Sequence, residues 1–98
     1  MMPPLSVYNA VQQLVTHDKG RMLAALVSQF GHFDLAEDVL SDAIEAALIH
    51  WPKSGIPDAP MAWVILTAKR KAIDRLRRAS KFKAQQVNLT VLYRSHDW

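Results

Sequence analysis

Three of the five prolines crowd into residues 52–60 and glycine occurs only three times, so the chain divides into a few long stretches free of helix interrupters. Within those stretches the apolar residues recur at helical spacing. Placed on a wheel at ~100° per residue, Val7, Val11, Leu14, Val15, Met22, Ala25 and Leu26 fall on one arc between Ser6 and Phe30. The phase carries through the polar patch Thr16–Gly20, which predicts one long helix, with Gly20 as the place for a bend. Leu23, Val27 and Phe30 form a second apolar set, so the later half should be covered on two sides and lie deepest in the core. Gly31 suits the position that ends such a helix.

Asp34 and Glu37 form an Asp-x-x-Glu start resembling a capping box, and the helix they open should stop at Pro52. One arc of it carries Leu35, Ala36, Val39, Leu40, Ala43, Ala47 and Trp51, and the opposite arc carries Asp34, Glu37, Asp38, Ser41, Asp42 and Glu45. Residues 52–59 read as a loop, with Asp58 as the N-cap of a last helix running to about Ser80. The apolar arc of that helix is Ala62, Ile65, Leu66, Ala72, Ile73 and Leu76, and its polar arc holds Thr67, Arg70, Lys71, Asp74, Arg75, Arg77 and Arg78, with Trp63 at the border. After Phe82 the pattern fades, and 82–98 are expected to be an irregular tail beyond a domain of residues 1–81.

Composition narrows the function. The 98 residues suffice for one domain, and half of them are hydrophobic, which argues against disorder. Cysteine is absent, which removes disulfides, thiolate metal sites and cysteine nucleophiles. No apolar run approaches the ~18 residues of a membrane span. MMPPLSVYNA lacks the basic start and long apolar stretch of a signal peptide, so the expected compartment is the cytoplasm. The net charge of +3 conceals a polarity: residues 1–62 carry three Lys/Arg against seven Asp/Glu, and residues 63–98 carry nine against two. The basic third suits a polyanion that the acidic remainder would repel.

Two stretches, HFDLAEDVLSDAIEAALIHWP and PMAWVILTAKRKAIDRLRRASK, together with KGRMLAALVSQFG before them, resemble region 2 of the sigma-70 family, and most closely its extracytoplasmic-function group. The resemblance covers roughly residues 7–81. It implies an all-α fold of three main helices packed as a region 2-like bundle. It further implies that the LAEDVLSDAIEAAL helix binds the β′ coiled coil of core RNA polymerase. The last helix and the loop before it would engage the promoter −10 element and hold the opened non-template strand, and an anti-sigma regulator is a further partner of this kind of protein. Complete factors of the group also carry a helix-turn-helix domain that reads the −35 element, and YRSHDW resembles no part of one.

The residues support the same division of labour. Lys69, Arg70 and Lys71 sit mid-helix rather than in the last turn, where the helix dipole alone would explain cations. Cations there neutralise phosphates and an aromatic face stacks on unpaired bases, so the candidate DNA-binding residues are Trp63, Thr67, Arg70, Lys71, Asp74, Arg75 and Arg78, with Lys53 and Ser54 from the loop. On the acidic helix, Leu48 and Ile49 intrude among charges, which suggests a protein partner with basic groups. The candidate polymerase-binding residues are Asp38, Ser41, Asp42, Glu45, Leu48 and Ile49. The plainer readings are a solvated acidic face, a basic helix end and core tryptophans. A stand-alone helical protein-interaction module without promoter reading is the rival function. A metal or acid/base site is disfavoured, because the acidic helix has no His at ligand spacing; no cofactor or catalytic residue is expected. Lys69 falls within the predicted apolar arc, which predicts an ion pair with Asp38 or Asp42.

Overall fold

The computed structural model describes residues 4–94, and side chains as far as Lys81. In chain order it comprises α1 (Leu5–Gln13), a π-helical stretch (Leu14–Asp18), α2 (Lys19–Phe30), α3 (Phe33–Ser54) and α4 (Pro60–Arg94). The described residues contain no strand. The fold is the expected all-α bundle, with α3 packed against α1, α2 and α4.

The first helix is continuous but interrupted earlier than Gly20. The break is the π-helical stretch, ending at Asp18 with φ −117° and ψ 0°. On an ideal wheel Met22 and Leu26 run roughly 60–100° ahead of Val7. A π turn takes more residues per revolution, so it retards the turns of α2 and brings both residues back over the core. Val7, Val11, Leu14, Met22 and Leu26 are all buried, whereas Val15, placed inside by the ideal phase, is exposed. Gly31 ends α2 as expected: it adopts φ +76° and its N–H donates to the Val27 carbonyl at 2.7 Å.

Both ends of α3 differ from the sequence reading. The helix starts at Phe33 after His32, with no side-chain cap bond, so Asp34 lies within the first turn and no capping box forms. It also runs through Pro52 to Ser54. Proline here removes only the bond to the Leu48 carbonyl. Further along the last turn, the Ser54 hydroxyl donates to the His50 carbonyl at 3.0 Å, and the Gly55 N–H to the Trp51 carbonyl at 2.8 Å. Gly55 then turns the chain away at φ +90°. The buried face matches expectation, with Ala36, Val39, Leu40, Ala43, Ala47 and Trp51 inside.

The phase of α4 is the main correction. Its buried residues are Val64, Ala68 and Ala72, whereas Leu66, Ile73 and Leu76 are 50%, 37% and 42% exposed. The buried centre is rotated by roughly 100° from the arc of larger side chains. Ala68 and Ala72 of α4, like Ala36, Ala43 and Ala47 of α3, are fully buried, and small side chains of this kind let packed helices approach closely. The helix begins at Pro60, so the residue at its N-cap is Ala59 and not Asp58. It continues to Arg94 rather than ending at Ser80, so 82–94 are helical and not irregular; residues 95–98 of the expected tail lie outside the described residues. No glycine or proline occurs after Pro60 to stop it. The molecule measures 61 × 28 × 18 Å, its long axis set by α4, whose 35 residues span ~52 Å.

Candidate functional site

The two helices singled out by charge are neighbours, and their polar edges meet. On the acidic face of α3, Asp38, Ser41 and Glu45 are exposed and Asp42 is half-buried. Leu48 is half-buried against the core and Ile49 is 52% exposed, so an apolar side chain does stand among the carboxylates. Along the adjoining edge of the same helix, Val15 and Lys19 join Glu37, Leu40, Ser41 and Ile44 around a cavity of about 290 Å³. Sequence reasoning passed over Val15 and Lys19 as surface contributors, because only the packing of the π-helical stretch on α3 unites them with Glu37.

The predicted nucleic-acid residues separate into two groups. At ~100° per residue, Trp63, Thr67, Arg70, Asp74 and Arg78 follow one edge of α4. Arg70, Asp74 and Arg78 are exposed, and Thr67 is half-buried. Trp63 is half-buried, its ring edge-to-face with Trp51 at 5.4 Å between centroids and 67° between planes, so the core tryptophan holds the surface one. Lys71 and Arg75 instead lean toward α3. Lys71 shares a cleft of about 200 Å³ with Asp42, Glu45, Ala46, Ile49 and His50.

Arg75 goes further. Its Nη2 donates to Asp42 Oδ2 at 2.6 Å and its Nη1 to Asp38 Oδ2 at 3.4 Å. This corrects the expectation for Lys69, which is half-buried without an ion pair among the described residues. The acids were placed correctly and the cation was not, because the rotation of α4 turns Arg75 to face α3. Lys53 and Ser54 are placed in the last turn of α3 and not in a loop, and the Ser54 hydroxyl already serves its own helix end. The connection proper is the segment from Gly55 to Ala59.

The same rotation exposes a feature the sequence reading had put inside: Leu66, Ile73 and Leu76 form an apolar stripe along the outside of α4, beside the cationic edge. The signal that would have found it is the fourfold spacing of Val64, Ala68 and Ala72. No three His, Asp or Glu side chains come together to hold a metal ion among the described residues, and no described helix is long and apolar enough to cross a membrane.

The described residues thus form an all-α module with an acidic face on one helix beside a cationic edge on the next. Its family is shown by sequence: sigma-70 region 2 matches residues 14–82, and the chain belongs to that family. An uncharacterized protein of Rhizobium meliloti (strain 1021) is 39% identical over 59 residues, which is 60% of this chain and 14% of that protein. The chain therefore matches about one seventh of that relative's length. No solved structure matches.

Proposed function

We propose that the chain works as the region 2 module of a sigma factor of the extracytoplasmic-function group. It tethers to the β′ coiled coil of core RNA polymerase through Asp38, Ser41, Asp42, Glu45, Leu48 and Ile49 of α3. It engages the promoter −10 element, and helps hold the opened non-template strand, through Trp63, Thr67, Arg70, Asp74 and Arg78 of α4. Lys53, Ser54, Lys71 and Arg75 serve as flanking contacts. Residues 1–81 are the working unit in this reading, and its partners place it in the cytoplasm. The observation that carries it is the adjacency of the two surfaces: an acidic face with exposed Ile49 on α3 and a cationic edge with Trp63 on α4. Phosphate neutralisation supplies affinity, and an aromatic face accepts an unstacked base.

The test is site-specific cross-linking from positions 67 and 70 in a complex of the chain with core RNA polymerase and promoter DNA. The expected outcome is capture of non-template −10 DNA at both positions, dependent on polymerase. Capture of protein alone would favour the second reading, a helical module that contacts only proteins. The exposed stripe of Leu66, Ile73 and Leu76 favours that reading, because an apolar stripe suits a protein partner and not a phosphate backbone.

A further inference from the structure

We propose that Arg75 is a shared ligand that couples the two binding surfaces: Asp38 and Asp42 hold it in the free protein, and it passes to a DNA phosphate when a cationic partner takes those carboxylates. The inference rests on the function proposed above and adds a mechanism by which one surface senses the other. The guanidinium spans two carboxylates on successive turns of α3, at 2.6 and 3.4 Å, one through each terminal nitrogen. Planar, bidentate donors of this kind serve carboxylate and phosphate equally well. The arrangement is not locked away, since the side chains of Arg75, Asp42 and Asp38 are 40%, 38% and 67% exposed. An ion pair at that exposure is weak and exchanges readily.

Both partners want a member of this pair. Basic groups on a protein seek Asp38 and Asp42, and DNA phosphates seek Arg75. While the pair is intact each surface withholds a charged group from its own ligand, and the carboxylates also repel DNA from the adjoining edge. Engaging one surface therefore frees the group the other needs. By linkage the advantage is reciprocal.

Binding of each ligand alone tests this with the full chain. Without polymerase, Asp38→Asn with Asp42→Asn should tighten binding to a fluorescent single-stranded −10 oligonucleotide. The control, Asp34→Asn with Glu37→Gln, removes the same charge from the same helix without touching Arg75. The clamp variant should exceed it by roughly two- to five-fold, the scale of an exposed ion pair. Without DNA, Arg75→Ala should tighten binding to core RNA polymerase by a similar factor relative to Arg70→Ala, and Arg75→Lys, which keeps the charge but not the fork, should fall between. Circular dichroism on each variant confirms the helices, and the two arms rest on different substitutions. Equal affinities of clamp variants and controls in both arms, with wild type binding polymerase, would overturn the coupling and leave the proposed function standing. A wild-type chain that binds neither ligand, alone or together, would overturn both.

Discussion

At the residue scale Trp51 ties the core to the surface. It is 1% exposed, it meets the half-buried Trp63 edge-to-face, and its Nε1 has no hydrogen-bond partner among the described residues. Truncation to alanine leaves a large void and should cost ~3–5 kcal/mol in urea unfolding. Trp51→Phe should cost clearly less, because it leaves a smaller void and keeps an aromatic ring beside Trp63. Equal losses would mean that the retained ring gains nothing from that packing. On α3, Glu45 and Ile49 are exposed and make no ion pair among the described residues. Glu45→Lys and Ile49→Lys should weaken capture by core RNA polymerase while moving the unfolding free energy by no more than ~0.5 kcal/mol. Unchanged polymerase affinity in both would remove this face from the interface.

At the scale of the element, α3 was legible from sequence and α4 was legible only in part. The α3 helix has a single apolar arc opposed by carboxylates, so only one rotation is physically reasonable. Two apolar arcs compete on α4, one of large side chains and one built on Val64, Ala68 and Ala72, and a wheel weighs the large ones more. Packing chose the small ones, and α3 likewise buries Ala36, Ala43 and Ala47. The choice is testable by contrast. Ala68→Leu should overpack the α3–α4 contact and destabilise by ~1–3 kcal/mol. Leu66→Ala, at a half-exposed position, should cost much less than the ~2–5 kcal/mol of a buried leucine. Urea titrations with the opposite ranking would restore the wheel's rotation. The π-helical stretch at Leu14–Asp18 was invisible for a related reason: nothing in LVTHD demands it, and it exists because Met22 and Leu26 must return to the core.

At the scale of the whole molecule the charges are segregated along the chain and then brought together in space. Every described residue of α4 from Leu76 to Lys81 is exposed, so the helix carries Arg77, Arg78 and Lys81 past Ala72, the last buried residue among those described. Binding to single-stranded DNA should therefore weaken steeply with salt, and Arg70→Ala or Arg78→Ala should each lower the slope of log affinity against log salt by about 0.7. A slope unmoved by either substitution would take the cationic edge out of the DNA contact. Periodicity and punctuation alone determined the helical class, the presence of a break between α3 and α4, the face of α3 and the sign of each surface, because those properties are local and survive any packing. Which rotation α4 adopts, which cation meets Asp38 and Asp42, and that an apolar stripe is left outside were decided only by tertiary structure. Close approach of two helices depends on the smallest side chains at the contact, and that is a property of the pair and not of either sequence segment.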